Sequence, residues 1–444
     1  MSAYINYLND LTNKNRTQYP EYNDQIKWIG YYETAKKEEE RNQIFQKLDK
    51  KLNWSFKNTK PWINRLSKGC QLCGQGEWSC LFITGKCNAK CFYCPTSQEQ
   101  DGIPSTQLTS FDNPEDYVEY LKYFGFKGAS LSGGEPLLVF ERTLNYIQTI
   151  KKELGDEIYL WMYTNGLLGS KEIYQKLSDA GINEVRFDIG ATGYNLKYIQ
   201  LASGIIPNLT VEIPVVPEDL ENIKQVIPEL IKLGVTNLNL HQLRLTNYNA
   251  PKLLKREYTY LHGEQATVLE SELTALKIIE FVVDHNLNIG VNYCAFNFKN
   301  RFQKAGFRKK IASKFMESNV QLTENGYLRS ISNSESFYAI KNNKIQSLDN
   351  EINNSIPEKL EISYKGLLLD DHLENQQYLK KVIIGNKAFF LRTGLTQNTS
   401  ILENHRLVDF LNLFKDQGKE IPDDASLFAL WKNEFIEWNL REYF

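Results

Sequence analysis

The chain has 444 residues and carries 52 Lys and Arg against 54 Asp and Glu, a formal net charge of −2. This length is typical of two or three domains, or of one large barrel with additions, and a near-neutral charge gives no electrostatic basis for general nucleic-acid binding. The sequence contains no run of about 18 apolar residues, so no membrane-spanning helix is predicted. The N-terminus also lacks the basic and apolar regions of a secretory signal. We therefore expect a cytoplasmic protein with no membrane partner.

The first predicted element is a helical prefix over residues 1–66, followed by a glycine-rich loop at 67–79. Short β-like runs then alternate with longer amphipathic runs. The strand candidates are Cys80–Thr84, Gly128–Leu131, Ile158–Tyr163, Glu184–Ile189, Leu209–Val215, Asn237–Leu243 and Leu287–Tyr293. The helix candidates are Pro114–Tyr123, Glu141–Leu154, Ser170–Ala180, Leu220–Leu233 and Glu264–His285. Strands that alternate with helices indicate βαβ units and a parallel sheet.

The alternation stops near residue 300, where seven basic residues follow between Lys299 and Lys314. This stretch is typical of a solvated amphipathic helix, and the alternative is a grip on an anion such as a carboxylate, a phosphate or an RNA backbone. Short strands are predicted beyond residue 318, with helical runs at about 399–415 and 424–441. The strand candidates there are Tyr327–Ile331, Lys359–Ser363, Lys381–Ile384 and Ala388–Arg392.

The cysteines form the most informative pattern, because six of the seven fall between residues 70 and 94. An odd number of cysteines in a chain without a secretory signal argues against a disulfide framework and favours metal binding. Cys87, Cys91 and Cys94 have the spacing C-x3-C-x2-C directly after the first predicted strand. Three thiolates on one tight loop hold three irons of a 4Fe–4S cube and leave the fourth open. A zinc loop is the alternative, although zinc knuckles usually pair C-x2-C with a second pair.

This triplet, with Tyr93 directly before its last cysteine, resembles the cluster motif of the radical S-adenosylmethionine (SAM) superfamily. Two further motifs carry the resemblance: Ser132–Pro136 (Ser-Gly-Gly-Glu-Pro) after the second strand, and Tyr163–Gly166 (Tyr-Thr-Asn-Gly) after the third. Together they cover about residues 78–245. The resemblance implies a partial (β/α)6 TIM-like barrel. With the elements predicted from the sequence pattern, this gives an α/β fold with a helical N-terminal prefix and a mixed α+β C-terminal domain. The corresponding divisions are 1–77, 78–300 and 301–444, with the last region covering the substrate.

The resemblance also implies the cofactors and their contacts. Cys87, Cys91 and Cys94 would hold a 4Fe–4S cluster that reductively cleaves SAM to a 5′-deoxyadenosyl radical, which abstracts hydrogen from a substrate. Glu135 would accept the ammonium of SAM, and the segment after the third strand would contact the ribose. The residues expected to contact SAM are Tyr93, Gly133, Gly134, Glu135, Pro136, Thr164, Asn165, Asp188 and Glu212. For Asp188 and Glu212, a contact with the substrate or a purely structural role is equally consistent with the sequence.

Four cysteines lie outside the triplet. Cys80 is expected to pack in the core. Cys70, Cys73 and Cys294 are candidates for an auxiliary Fe–S cluster or a zinc site, with structural thiols as the alternative. The Cys-x2-Cys pair, the triplet, Tyr293-Cys294 and residues 298–303 also resemble a subgroup labelled pyruvate formate-lyase activating-like, a label that names no substrate.

The leading hypothesis is a radical SAM enzyme that acts on a peptide, protein or amino-acid-derived substrate and takes electrons from a flavodoxin or ferredoxin-type donor. The extra C-terminal region, the candidate auxiliary site and the lack of general nucleic-acid charge favour it. The basic stretch motivates a tRNA-modifying enzyme as an alternative, and the subgroup label motivates a glycyl-radical-enzyme activase. A non-catalytic Fe–S or zinc-binding module is the alternative from another class, and the motifs predicted to contact SAM argue against it.

Overall fold

The computed structural model describes residues 2–106, 109–314, 316–348, 357–368, 379–384, 387–392 and 394–435. These residues belong to two compact units. The larger unit contains residues 11–106 and 110–299, and the smaller unit contains residues 2–10, Thr109 and the described residues after 299. Among the described residues, no helix combines the length and the apolar character needed to cross a membrane.

The larger unit is built on a nine-stranded, mostly parallel sheet. Its strands are β1 (Asn53–Ser55), β2 (Lys60–Ile63), β3 (Trp78–Thr84), β4 (Gly128–Gly133), β5 (Tyr159–Thr164), β6 (Glu184–Phe187), β7 (Leu209–Pro214) and β8 (Val235–His241), with β9 (Tyr260–Leu261) and β10 (Thr267–Val268) forming a separate hairpin before β11 (Gly290–Cys294). The strand order is β1-β2-β11-β8-β7-β6-β5-β4-β3. Strands β3 to β8 and β11 are parallel, whereas β2 joins β1 and β11 in antiparallel register.

Helices connect most of the parallel strands. The helices up to residue 312 are α1 (Ala3–Gln18), α2 (Tyr31–Leu48), α3 (Lys68–Gly74), α4 (Pro114–Phe124), α5 (Phe140–Leu154), α6 (Lys171–Asp179), α7 (Lys197–Gln200), α8 (Leu220–Lys232), α9 (Ala250–Leu253), α10 (Leu269–Asp284), α11 (Phe296–Phe298) and α12 (Ala305–Ala312), with a π-helical turn at Lys299–Lys304. Helix α12 belongs to the smaller unit. Short 3-10 turns lie at Pro136–Val139, Gly155–Glu157, Ile189–Thr192 and Pro217–Asp219. Helix α8 buries Ile223, Ile227 and Leu230, which recur at the spacing of one helical face.

Alternate residues of the parallel strands fall into two sets, because side chains along a strand point to opposite faces. One set is apolar and fully buried, as Leu160, Val211 and Leu238 show. The other set carries polar side chains that are buried as well. Its members include Ser130, Glu184, Arg186, Thr210, Asn237, Asn239 and Asn292. Buried polar groups require partners, so this second face is where the chain concentrates its hydrogen bonds and charges.

Two predictions for the N-terminal region are wrong. The prefix is not helical throughout, since residues 53–55 and 60–63 form β1 and β2 and extend the sheet. Lys60 and Pro61 are poor strand formers, and pairing with β11 overrides that propensity. The segment at 67–79 is not only a loop, because it contains α3, whose N-terminus is capped by the Ser67 hydroxyl accepting from the Cys70 amide N–H.

The smaller unit contains a second, antiparallel sheet with the strand order β15-β14-β13-β16-β19, and β12 pairs with β13. The remaining elements are β12 (Gln321–Leu322), β13 (Leu328–Ser332), β14 (Phe337–Lys341), β15 (Lys344–Ser347), β16 (Lys359–Leu368), β17 (Leu379–Ile384), β18 (Lys387–Arg392), β19 (Gly394–Glu403), α13 (Asn404–Lys415) and α14 (Ala425–Glu434). Buried residues of its core include Ile331, Ile362, Leu402, Phe410 and Leu430.

The helix predicted at about 399–415 is wrong over its first turn. Residues up to Glu403 belong to β19, which pairs with β16 from Gly394 to Glu403, and the helix begins at Asn404. Long-range pairing therefore decides the conformation of this boundary. The helix predicted at 424–441 is present from Ala425 to Glu434, and residues 436–441 lie outside the described part of the chain. In the basic stretch, the Arg308 guanidinium donates to the Asn325 carbonyl, with a Nη2–O distance of 2.8 Å.

Candidate active site

The loop that carries Cys87, Cys91 and Cys94 follows β3 and has no regular secondary structure. Backbone bonds hold its entrance, since the Cys87 amide donates to the Gln98 carbonyl at 3.1 Å. All three thiols are partly buried, and burial raises the pKa of each above its ordinary value. Burial therefore favours the neutral thiols, and metal binding would displace their protons.

The donors around Cys87 suit a metal-bound sulfur. The Ala89 amide N–H donates to the Cys87 Sγ at 3.4 Å, and the Asn165 side-chain amide lies 3.7 Å from the same sulfur. Hydrogen bonds of this kind tune the sulfurs of iron–sulfur clusters. In the described ranges, no three Cys, His, Asp or Glu side chains gather around one single-ion position. A cube that takes one iron per thiolate does not need that convergence, so the donor set fits the cluster that the resemblance implies.

The two glycines after β4 pack against the beginning of the cysteine loop. Gly133 has a φ of +113°, and a Cβ there would lie 2.1 Å from the Thr84 carbonyl oxygen. A Cβ on Gly134 would lie 1.8 Å from the Lys86 carbonyl oxygen. Two backbone segments approach closely at both positions, and a residue with a Cβ would clash there. The predicted contact of Gly133 and Gly134 with SAM stays a prediction.

Replacement of Gly134 by alanine is expected to disrupt this contact, because backbone at Lys86 cannot move away as a flexible side chain would. Overpacking of this kind costs about 1–3 kcal/mol. We expect the midpoint of urea unfolding to fall and iron uptake after reconstitution to decrease. Gly30→Ala is the matched control, since a Cβ on Gly30 meets nothing within 4 Å. Equal behaviour of the two variants would contradict the proposed close packing.

Glu135 connects its own turn to the segment that follows β5. Its carboxylate accepts from the Leu137 amide at 3.0 Å, from the Thr164 hydroxyl at 2.7 Å and from the Asn165 amide at 2.7 Å. The residue is only 1% exposed, and burial raises the pKa of its carboxyl. Because a carboxylate has about four acceptor positions, three are already used by the protein. Acceptance of the SAM ammonium by the remaining position stays a prediction.

The segment after β5 connects back to the cysteine loop. The Asn165 side-chain amide donates to the Asn88 side-chain oxygen at 2.7 Å, and the Thr164 hydroxyl accepts from the Gly166 amide at 2.9 Å. Pro136 is buried, and its carbonyl accepts from the Thr143 hydroxyl at 2.8 Å. The structure therefore brings three sequence motifs together at the carboxyl ends of neighbouring parallel strands, where α/β folds place their active sites.

Tyr93 and Asp188 form a further link across this edge. The Tyr93 hydroxyl donates to the Asp188 carboxylate, with oxygen–oxygen distances of 3.0 and 3.1 Å. Asp188 also caps the turn that follows β6 by accepting from the Ala191 amide. Burial raises the pKa of Asp188 to about 6. The Asn249 side chain donates to the Tyr93 carbonyl at 3.2 Å, so the aromatic residue of the triplet is anchored on both sides.

Glu212 lies on the polar face of the sheet, and its partners belong to the protein. It accepts from Arg186 at 2.6 Å and from Asn239 at 2.8 Å, and it pairs with His241 at 2.9 Å. Burial opposes ionisation, but His241 and Arg186 outweigh it and hold the pKa of Glu212 well below its usual range. Burial, with Lys299 close by, lowers the pKa of His241 to about 4. A structural role is visible for Glu212, and a contact with SAM stays a prediction.

The buried cations of this face were not among the predicted site residues. Arg186 is buried and pairs with both Glu184 and Glu212, and Lys60 is 1% exposed. The signal for Arg186 was present in β6, where two charged residues alternate within a strand. Lys60 gave no such signal, because its strand was not predicted.

Cys73 has Cys70 and Cys294 as electrostatic neighbours. Lys60 interacts electrostatically with all three thiols. The Cys70 Sγ lies 3.9 Å from the Asn292 side-chain amide and 4.0 Å from the Arg186 guanidinium. Burial raises the pKa of Cys70, and that of Cys73 well above its ordinary value. Cys80 lies on β3 outside the triplet loop, and burial raises its pKa to about 11.

Comparison with known proteins finds a matching family model and several relatives in sequence. A sequence model described as the Radical SAM superfamily matches residues 81–241. A Methanocaldococcus jannaschii protein, provisionally named a glycyl-radical enzyme activating enzyme, is 30% identical over 280 residues, covering 60% of this chain and 73% of that protein. A Methanococcus maripaludis (strain C7) protein, provisionally named a GTP 3′,8-cyclase, is 32% identical over 165 residues, covering 37% of this chain and 49% of that protein.

Solved structures align more loosely. SuiB from Streptococcus suis, bound to the precursor peptide SuiA, aligns with 11% identity and a TM-score of 0.37, covering 64% of this chain and 57% of that one. The tryptophan-bound methyltransferase TsrM from Kitasatospora setae aligns with 16% identity and a TM-score of 0.30, covering 40% of this chain and 38% of that one.

Proposed function

The chain belongs to the radical SAM superfamily, and from that premise we propose that it directs a 5′-deoxyadenosyl radical at a hydrogen atom of a peptide, protein or amino-acid-derived substrate. It is an enzyme whose cofactors are a 4Fe–4S cluster and SAM. When bound, the cluster supplies the electron that cleaves SAM to methionine and this radical. Every other task, namely binding, orientation and the exclusion of water, falls to residues of the chain.

The observation that carries the SAM-cleaving part of the proposal is the hydrogen bonding of Glu135. Its carboxylate joins its own turn to Thr164 and Asn165, and its amide donates to the Lys86 carbonyl at 2.7 Å. Glu135 thus fixes the position of the cysteine loop relative to both motifs predicted to contact SAM. Within that frame, Cys87, Cys91 and Cys94 would each bind one iron, and the donors from Ala89 and Asn165 would stabilise the Cys87 thiolate.

We also infer that the parallel strands form an open (β/α)6 barrel. Strands β3 to β8 lie side by side in chain order, and each pairs in parallel with the next. Helices or helical turns intervene between all of them. This arrangement supports a barrel with its reactive centre at the carboxyl ends of the strands. The polar face of the sheet would then line its interior.

The relative named as a glycyl-radical enzyme activator supports a polypeptide substrate. The chain spans 73% of the protein named as a glycyl-radical enzyme activator, but only 49% of the one named as a GTP cyclase. Glycyl-radical activation is itself an abstraction of hydrogen from a protein, so it is a specific form of the proposed activity. A flavodoxin or ferredoxin-type protein is proposed as the electron donor.

Transfer of deuterium into 5′-deoxyadenosine tests the substrate class. The reconstituted enzyme, SAM and dithionite are incubated with protein, RNA or low-molecular-weight fractions from fully deuterated cells of the native host. We expect deuterated 5′-deoxyadenosine, measured by mass spectrometry, with the protein fraction or with amino-acid-derived molecules of the low-molecular-weight fraction.

Nuclease and protease treatments separate the alternatives. Protease sensitivity of the signal from the protein fraction supports a polypeptide substrate. Label that arises only from RNA and disappears after ribonuclease treatment would establish the tRNA alternative instead, and stimulation by GTP alone would favour cyclase-like chemistry. The Cys91→Ala variant is the control for label that does not depend on the triplet.

A further inference from the structure

A second group of thiols lies on the polar face of the sheet, away from the triplet loop in sequence. We call the group formed by Cys70, Cys73, Cys294, Lys60 and Arg186 the thiol chamber. Helix α3 contributes two of the thiols and β11 contributes the third, while the cations come from β2 and β6. Cys70 and Cys294 are buried, and Cys73 is partly buried. Four separate segments of one unit thus place three soft ligands and two cations in one enclosed region.

Lys60 is the most unusual member of the chamber. It is 1% exposed, and among the described residues no carboxylate lies within ion-pairing distance of its Nζ. Its Nζ lies 4.3 Å from the centroid of the Phe298 ring. A buried ammonium without an ion-pair partner is costly. The groups that it faces electrostatically are Cys294, Cys70, Cys73 and, with a smaller effect, Glu212.

The charges around the chamber do not balance. Lys60, Arg186 and Lys299 are cations, whereas Glu184 and Glu212 are the carboxylates paired with Arg186. Arg244 is a further cation that faces Lys299 electrostatically, so cations outnumber these two carboxylates. The region is therefore suited to a centre that carries negative charge.

Hydrogen-bond donors also point at the chamber's sulfur. The Asn292 amide and the Arg186 guanidinium approach the Cys70 Sγ to 3.9 and 4.0 Å. Gly69 allows this approach, since a Cβ there would lie 2.1 Å from an Arg186 nitrogen. Donors and cations close to thiolate sulfur are typical of iron–sulfur sites, where they adjust the reduction potential.

We propose that Cys70, Cys73 and Cys294 hold a second iron–sulfur cluster, whose negative charge is balanced by Lys60 and the neighbouring cations. Binding converts three thiols to thiolates with release of three protons. A [4Fe–4S]2+ core with three thiolates has a net charge of −1, which is opposite in sign to the excess of cations around it. The inference goes beyond SAM cleavage and does not depend on the substrate.

Metal analysis of variants tests the proposal. The Cys87/Cys91/Cys94→Ala protein, reconstituted anaerobically with iron and sulfide, is expected to keep about four irons and four sulfides per chain. Adding Cys70→Ser and Cys294→Ser is expected to remove them, whereas adding Cys80→Ser is the matched control and should leave the iron content unchanged. No iron in the first protein, iron that persists in the second, or zinc in place of iron would each overturn the proposal.

The reduction potential provides a readout that a folding defect does not imitate. In the background without the triplet, Lys60→Met removes a positive charge next to the cluster, so its potential should become more negative in an EPR-monitored titration. Lys60→Arg keeps the charge and should leave the potential close to that of the unmodified site. An identical potential in Lys60→Met and its parent would overturn the charge-balancing role of Lys60. Because the triplet is absent, failure of this test and failure of SAM cleavage are separate results.

Discussion

Replacement of Cys91 by alanine should abolish SAM cleavage, with 5′-deoxyadenosine formation falling by more than about 100-fold, since even loss of a residue that supports a metal ligand costs 10–100-fold. Cys91 is the central thiol of the loop after β3. Without it, the loop offers two thiolates, and one iron of the cube loses its protein ligand. The measurement is 5′-deoxyadenosine per chain after incubation with SAM and dithionite, quantified by chromatography.

The control for this experiment is Cys80→Ala. Cys80 lies on β3, a few residues before the loop, and it forms no part of the triplet. Its replacement should leave deoxyadenosine formation close to that of the unmodified enzyme. Comparable loss of activity in both variants would mean that the triplet is not the site of SAM cleavage.

Replacement of Arg186 by leucine should destabilise the larger unit by about 3–5 kcal/mol, the usual cost of removing one partner of a buried ion pair. Only 3% of the Arg186 side chain is exposed, and it lies 2.9 Å from Glu184 and 2.6 Å from Glu212. Its loss leaves two buried carboxylates without their main counter-charge. The free energy of unfolding, measured by urea denaturation, reports the effect.

Lys232→Leu provides the comparison at the surface. Lys232 pairs with Glu229 at 2.6 Å, but 70% of its side chain is exposed. Surface pairs contribute about 0–1 kcal/mol, so this variant should unfold close to the unmodified protein. If Arg186→Leu and Lys232→Leu shifted the unfolding midpoint equally, the buried charges of the sheet would not be essential to its stability.

The sequence was a good guide to the parallel strands and to the place of the motifs. Each motif directly follows a run of β-forming residues, and parallel strands bring such positions to one edge. The identity of the partners was not predictable in the same way. Glu135 contacts Thr164 and Asn165, which lie 29 and 30 residues away in sequence. A contact at that separation cannot be predicted from a local sequence pattern. The prediction that Glu135 contacts SAM did not include these hydrogen bonds within the protein.

The secondary-structure elements that were not predicted share one physical cause. Strand β2 contains Lys60 and Pro61, residues that disfavour strands, and it forms because β11 offers a partner. Helix α3 includes two glycines and is held by the Ser67 cap and by packing. Strand β19 pairs with β16 over ten residues, from Gly394 to Glu403. In each case a contact distant in sequence outweighs local propensity.

The two ends of the parallel sheet influence how the folded chain behaves in solution. At one end, β2 occupies the open side of β11, and the outermost strand β1 is only three residues long. At the other end, Phe82 of β3 exchanges backbone hydrogen bonds with Ser105, at 2.7 and 3.0 Å. The hairpin of β1 and β2 thus replaces the edge of β11 with a strand of three residues, and a short edge strand offers little backbone to a strand of another molecule. This hairpin therefore also lowers the risk of edge-to-edge aggregation.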